Sequence, residues 1–87
     1  MSLHVLIDER ITTGKAAVVV SKKVDKSAVR RNRIRRRVYE VVRKHQGDLN
    51  QPAGLVFTVY AASAATMPAS QLEGVILDLL QSAQLIK

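Results

Sequence analysis

Residues 15–45 read KAAVVVSKKVDKSAVRRNRIRRRVYEVVRKH, an apolar segment followed by a strongly basic one. The segment 15–23 contains a continuous β-branched run, which predicts a strand covered by protein on both faces. The basic segment predicts a helix that begins after Ser27, a suitable N-cap, and ends near His45, with Gly47 as its stop signal. A strand that leads into a long basic helix is therefore the centre of the expected fold.

The predicted helix has a narrow apolar stripe surrounded by arginines. On a 100° step, the valines at 38, 41 and 42 fall within about 80° of Ile34. Six arginines occupy residues 30–37, with no acidic side chain among them. Like charges four residues apart repel, and cations near a helix N-terminus oppose the helix dipole. Because bound phosphates would relieve both penalties, the pattern indicates an anionic partner.

The charge of the chain is concentrated in this one element. The whole chain has a net charge of +7. Residues 22–44 hold eleven basic and two acidic side chains, which gives +9, and the remaining three basic and five acidic residues give −2. We therefore expect a mildly acidic scaffold that carries one docking element for a polyanion.

The flanking segments complete a small α+β pattern. Residues 3–7 predict a strand that enters a hairpin-like connection over 8–14, residues 51–54 predict a turn, and residues 55–61 predict a third strand. Pro68 lies in the first turn of a second helix. The apolar positions of this helix have helical spacing and are Leu72, Val75, Ile76, Leu79, Leu80 and Ala83.

The order ββαβα predicts a two-layer sandwich of the α+β class, with helices packed on a small sheet. Its length of 87 residues predicts a single domain, residues 1–87. The chain contains no cysteine, which excludes disulfides, thiolate metal sites and thiol nucleophiles and fits a reducing compartment. The sequence shows no metal-ligand spacing, no glycine-rich phosphate loop, no signal peptide and no membrane span. We expect a cytoplasmic protein without catalytic groups of its own.

Nucleic-acid binding explains the basic helix better than a solvated face, a localisation signal or a contact with acidic lipids. Arginine forms bidentate bonds with phosphate and stacks on bases. Tyr39, on the exposed basic face, is a candidate to stack on a base. DNA is a weaker candidate than RNA because no helix-turn-helix spacing or dimer seam is evident. The predicted RNA-binding residues are Lys22, Lys23, Lys26, Arg30, Arg31, Asn32, Arg33, Arg35, Arg36, Arg37, Tyr39 and Arg43.

Two motifs carry a resemblance to a known family. Residues 20–23 (VSKK) and 28–36 (AVRRNRIRR) resemble the signature of the bacterial ribonuclease P protein component, in which a strand ending in Ser-Lys-Lys leads into a helix with an Arg-Asn-Arg core. The later turn, strand and amphipathic helix also follow the order of that family. The resemblance thus covers nearly all of the chain from Leu3 onward.

The resemblance implies the small subunit of a ribonucleoprotein endonuclease that removes the 5′ leader from precursor tRNA. It implies that the catalytic centre and its magnesium ions belong to the ribonuclease P RNA, that the protein binds no cofactor alone, and that a cleft between helix and sheet holds the leader. It also implies a left-handed crossover between parallel strands, an exception to the usual hand. By this resemblance, certain positions would contact the RNA subunit or order the metal-rich region near the cleavage site, namely Arg31, Asn32, Arg33, Arg35 and Arg36. Lys22 and Lys23 would flank the same surface.

The sequence departs from that family in three places. The family opens with a further helix and strand, so this chain is expected to be a shortened member. Tyr39 stands where a third arginine is usual, and one residue is added within 24–27. A ribosomal or architectural RNA-binding protein of similar build is the alternative function, and the sequence does not indicate an oligomeric state.

Overall fold

The computed structural model describes residues 1–6, 15–50 and 53–86. In chain order the elements are β1 (Ser2–Leu6), β2 (Lys15–Val20), α1 (Ala28–His45), the first 3₁₀ turn (Gln46–Asp48), β3 (Gly54–Val59), the second 3₁₀ turn (Ala62–Ala65) and α2 (Ala69–Ser82). This arrangement confirms the predicted ββαβα order and the α+β class.

The central strand of the sheet is β3. It pairs with β1 in antiparallel orientation, with Leu3 opposite Phe57, and with β2 in parallel orientation, with Val18 opposite Phe57. A hairpin-like connection would place β1 next to β2, but β3 lies between them. The predicted connection over 8–14 itself lies outside the described residues. The burial of β3 accounts for the difference, because its alternate side chains Leu55, Phe57 and Val59 are all buried and a central position covers them best.

The unit formed by β2, α1 and β3 determines where the basic helix lies. Since β2 and β3 are parallel neighbours, the chain must cross from the end of one to the start of the other, and α1 lies in that connection. The expected βαβ unit is thus confirmed. The left-handed sense of the crossover stays a prediction.

The core lies between one face of the sheet and the two helices. Phe57 and Ile34, from β3 and α1, are fully covered, and α1 packs on β2 while α2 packs on β1. Of the predicted α2 stripe, three residues are buried and three are half-buried. The buried side chains of the strands and helices are Val18, Val20, Leu55, Phe57, Val59, Ile34, Val38, Val42, Leu72, Ile76 and Leu80.

The prediction that β2 is covered on both faces is wrong. Val18 and Val20 are buried, but Val19 between them is 47% exposed. Ala17 is exposed as well. Because both helices pack on the same face of the sheet, the alternate residues of β2 point away from the core even though they are apolar.

The ends of α1 agree with the predicted positions. The Ser27 hydroxyl accepts a hydrogen bond from the backbone N–H of Arg30 at 3.3 Å, which confirms the N-cap. After His45 the chain enters the first 3₁₀ turn, where the Gln46 N–H bonds to the Arg43 carbonyl. Gly47 lies inside that turn and has no positive φ. The helix therefore ends near the predicted place, but the expectation that a left-handed glycine ends it is wrong. Of the predicted turn over 51–54, residues 51 and 52 lie outside the described residues.

Candidate nucleic-acid interface

The arginines of α1 are not equivalent, because tertiary structure has already engaged some of them. Arg31 is half-buried, and its Nη1 donates to the carbonyl oxygens of Asp25 at 2.9 Å and Lys26 at 3.0 Å. These bonds fold its guanidinium onto the loop that precedes the helix. Arg31, predicted to contact RNA, therefore also orders the backbone at the start of α1.

Arg37 is engaged in the same way, farther along the helix. Its Nη1 donates to the Ala64 carbonyl oxygen at 2.6 Å, and its Nη2 donates to the carbonyl oxygen of Met67. The side chain is half-buried. The fork geometry of the guanidinium suits two acceptors at once, so Arg37 connects α1 to the second 3₁₀ turn and the start of α2.

Two further arginines have side-chain partners close in sequence. The Nη1 atom of Arg30 lies 3.8 Å from the Asp25 Oδ2 atom, and the Arg30 side chain is 70% exposed. The Nη1 atom of Arg35 donates to the Asn32 amide oxygen at 2.5 Å on the surface. Exposed contacts of this kind hold a side chain weakly, so both guanidinium groups stay available to a ligand.

The remaining predicted cations have exposed side chains. They make no hydrogen bond or ion pair within residues 1–6, 15–50 and 53–86. A bound phosphate would therefore break no bond between these side chains and the described residues. They are Lys22, Lys23, Lys26, Arg33, Arg36 and Arg43.

The outward face of α1 forms a shallow groove, which we call the helix groove. Its volume is about 510 Å³. Tyr39 lines it and is half-buried, because its side chain also packs against the core. The groove thus combines guanidinium groups with an ordered aromatic edge. The residues that line it are Asn32, Arg35, Arg36, Tyr39, Glu40 and Arg43.

A cluster at the C-terminal end of α1 could not be found from the sequence. The Nε2 atom of His45 lies 2.8 Å from the Glu73 Oε1 atom, and its Nδ1 atom lies 3.2 Å from the Asp48 Oδ2 atom. Lys44 Nζ lies 3.4 Å from the same Glu73 oxygen. The hydrogen bond with Glu73 is the main cause that raises the pKa of His45, and the same bond lowers the pKa of Glu73. Only the packing of α2 beside α1 brings Glu73 here.

The part of the chain that the structure describes contains no group of three or more His, Cys, Asp or Glu side chains that could hold a metal ion. Within the same residues, neither helix has the length and apolar character needed to cross a membrane. The expectations that the protein alone binds no cofactor and that it is cytoplasmic stay predictions.

The fold and its surface define a class: small α+β domains in which one long helix displays a series of exposed cationic side chains. Comparison with known proteins is more specific. The family model described as Ribonuclease P matches residues 2–84, so the chain belongs to the ribonuclease P protein family.

Individual relatives agree with this assignment. The ribonuclease P protein component of Pseudanabaena sp. is 39% identical over 59 residues, which are 68% of this chain and 51% of that protein. This chain therefore matches about half the length of that relative. The RNase P protein of Staphylococcus aureus has the same fold, with a TM-score of 0.80 and 21% identity over 98% of this chain and 75% of that one. A mutant of that protein with defective mRNA degradation activity also aligns with a TM-score of 0.80 and 21% identity, over 97% of this chain and 69% of that one.

Proposed function

We propose that this chain is the protein subunit of ribonuclease P, which binds the catalytic RNA and assists removal of the 5′ leader from precursor tRNA. Family membership supports the role, since the matching model covers residues 2–84. The observation that carries the RNA-binding part is the set of exposed cations on α1 and the turn before it that have no partner among the described residues. The proposed cellular location is the cytoplasm.

The chain would act by binding and orienting RNA. Arg36 and Arg43 in the helix groove, together with Arg33 on a neighbouring face of α1, would neutralise phosphates that otherwise repel one another when RNA segments approach. Tyr39 offers a ring on which an unpaired base can stack. Arg31 and Arg37 would hold α1 in place, so that the free arginines are presented from a rigid support.

In this proposal the protein has no catalytic residue and no cofactor of its own. Magnesium held by the RNA would supply the activation of the attacking water. The contribution of the protein is positive charge at fixed positions, which lets the RNA fold and bind precursor tRNA at a lower magnesium concentration. The cleft between helix and sheet is the proposed site for the single-stranded leader.

Reconstitution tests this function. The chain is added to the ribonuclease P RNA encoded by the same genome, at low magnesium, and leader removal from precursor tRNA is followed by gel electrophoresis. We expect strong stimulation by the unmodified chain and by Lys15→Ala, a variant at the start of β2. The double variant Arg36→Ala with Arg43→Ala should stimulate much less.

Two outcomes would contradict the proposal. Absence of stimulation with the cognate RNA, while RNA binding persists, would favour the alternative of an architectural or ribosomal RNA-binding protein. Equal stimulation by the double variant and the Lys15→Ala variant would show that the helix groove is not the docking surface.

A further inference from the structure

A second cleft lies beside α1, apart from the helix groove. It has a volume of about 400 Å³ and separates the N-terminal half of α1 from the second 3₁₀ turn and the residues after it. We call it the strand-end cleft. The residues that line it are Asp25, Arg30, Arg33, Ala62, Ser63, Ala65 and Thr66.

The topology explains why these residues meet. Because β2 and β3 are parallel, their carboxyl ends lie at the same edge of the sheet. Asp25 follows β2, whereas Ser63 and Thr66 follow β3. In open α/β sheets the crevice beyond the carboxyl ends of parallel strands is the usual place for a ligand, and anionic groups are common there.

The side chains of the cleft suit a phosphate group. Arg30 and Arg33 contribute two guanidinium forks, and Arg33 has no partner among the described residues. Ser63 and Thr66 add hydroxyl groups, and both residues are exposed. The Thr66 hydroxyl donates to the Ser63 carbonyl oxygen at 3.4 Å, a long surface bond that a phosphate oxygen would replace. Arginine forks and hydroxyl groups are the donors that bind phosphate oxygens in nucleic-acid complexes.

The single carboxylate of the cleft is already engaged. The Asp25 side chain is only 10% exposed. Its Oδ1 accepts the backbone N–H of Ser27 at 2.9 Å, and its Oδ2 lies 3.8 Å from the Arg30 Nη1. Asp25 therefore orders the entry to α1, while its long contact with the exposed Arg30 leaves that guanidinium group available to a ligand.

The strand-end cleft and the helix groove face different directions. On a 100° step per residue, the direction midway between Arg30 and Arg33 lies about 120° from the centre of the groove positions Arg36, Tyr39 and Arg43. One phosphate cannot contact both surfaces. If both are occupied, they contact two different parts of the RNA.

We propose that the strand-end cleft binds a backbone phosphate of the RNA partner, as a second contact separate from the helix groove. The proposal rests on the proposed function, since it deepens how the same RNA is held. It assigns to Ser63 and Thr66 a role in RNA binding that depends on their juxtaposition with Arg30 in the fold.

The first test measures affinity. Binding of the folded chain to the ribonuclease P RNA from the same genome is measured across a range of salt concentrations. Arg30→Gln should weaken binding about tenfold, the effect of removing one charge-assisted hydrogen bond. The same variant should make the salt dependence shallower by about 0.7–0.9 in log–log slope. Thr66→Val should weaken binding with the slope unchanged, because it removes a hydroxyl and no charge.

Asp25→Asn should change the affinity for RNA in the opposite direction. An asparagine oxygen can still accept the Ser27 N–H, but the competing negative charge is gone, so binding should become tighter. The matched controls lie far from the cleft. Lys15→Ala removes one positive charge at the opposite end of β2, and Asp78→Asn removes one negative charge on α2, and each should change affinity less than about twofold.

The second test locates the RNA directly. Ser63→Cys and Glu40→Cys, each carrying a tethered iron–EDTA group, generate hydroxyl radicals in the strand-end cleft and in the helix groove. We expect the two proteins to cut the bound RNA at different nucleotides. Absence of cuts from the Ser63 position, or cuts at the same nucleotides as from position 40, would overturn the proposal.

The binding results of the arginine variants distinguish a failure of this proposal from a failure of the proposed function. If Arg30→Gln behaves like Lys15→Ala while Arg36→Ala weakens binding, the cleft does not bind RNA and the proposed function stands. If neither arginine variant weakens binding, the docking role of α1 fails as well, and with it the proposed function.

Discussion

The Nη1 atom of Arg37 donates a hydrogen bond to the carbonyl oxygen of Ala64 at 2.6 Å and so joins the middle of α1 to the 3₁₀ turn that follows β3. The preceding residue, Arg36, is exposed and has no partner among the described residues. Two adjacent arginines with the same charge therefore have different environments, and their substitutions should separate stability from RNA binding.

Replacing Arg37 should destabilise the protein. Arg37→Ala removes the donors to two carbonyl oxygens, and we expect the free energy of unfolding to fall by about 1–3 kcal/mol. Arg37→Lys keeps the charge but cannot form the two-pronged contact, so much of this loss should remain. Urea denaturation followed by circular dichroism measures the change.

Arg36→Ala is the matched control for Arg37. It removes the same charge from an exposed position, so we expect the free energy of unfolding to change by less than about 0.5 kcal/mol. Equal destabilisation by Arg36→Ala and Arg37→Ala would contradict the structural role of Arg37.

The exposed arginines that lack a partner among the described residues should determine how RNA binding depends on salt. We expect the triple variant Arg33→Ala, Arg36→Ala, Arg43→Ala to bind the ribonuclease P RNA more weakly, because each phosphate that is no longer neutralised also keeps its counterions. The slope of log affinity against log salt should become shallower by about 0.7–0.9 for each such phosphate. Filter binding across a series of salt concentrations measures this slope, and an unchanged slope would show that these side chains do not contact phosphates.

The local patterns of the sequence predict the elements of the fold but not their arrangement. The helical spacing of Leu72, Ile76 and Leu80 and the cap at Ser27 depend on residues close together, and both are confirmed. The place of β3 between β1 and β2 depends on contacts between distant segments. The valine run of β2 shows that strand propensity does not reveal how many faces are covered, since Val19 is exposed.

The same limit applies to the candidate site. The sequence shows which arginines exist and that they share a helix. It does not show that the carbonyl oxygens of Ala64 and Met67 engage Arg37, because the fold brings them together across about 30 residues. It likewise does not show that Ser63 and Thr66 lie opposite Arg30, so the strand-end cleft cannot be recognised from the sequence.

The contact between His45 and Glu73 predicts how stability depends on pH. The hydrogen bond to Glu73 raises the pKa of His45 above its ordinary value of 6.5. The stabilising contribution of His45 is therefore complete below pH 6.5 and is lost as the pH rises through the raised pKa of His45. The pKa of Glu73 is lowered from its ordinary 4.5, so its contribution is present above pH 4.5 and is lost as the pH falls through the lowered value.

The cluster should thus stabilise the protein most between these two ordinary values. Titration of His45 by NMR should give a pKa above 6.5 in the folded protein, and Glu73→Gln should return it toward 6.5. The same variant should flatten the decrease in the free energy of unfolding above pH 6.5. A pKa for His45 at or below its ordinary value would contradict the contact.

The end of α2 offers a position where glycine should stabilise the protein. Gln84 has a φ of 60°, in the left-handed region that side chains disfavour. Its N–H bonds to the Gln81 carbonyl at 2.9 Å, and the N–H of buried Leu85 bonds to the Leu80 carbonyl at 3.0 Å, the pattern of a Schellman cap. Glycine adopts this conformation without a steric penalty but has more freedom when unfolded. We expect Gln84→Gly to raise the free energy of unfolding by about 0.5–1 kcal/mol.

The neighbouring residue provides the control for this prediction. Ala83 has a φ of −82°, an ordinary right-handed value, so Ala83→Gly gains no relief and should lower the free energy of unfolding by about 0.5–1 kcal/mol. The bond from the Asn50 side chain to the Gln84 carbonyl, at 2.7 Å, involves only backbone of Gln84 and survives both substitutions. The urea midpoints of unfolding of the two variants should therefore shift in opposite directions. A loss of stability in both variants would show that the left-handed conformation of Gln84 carries no strain.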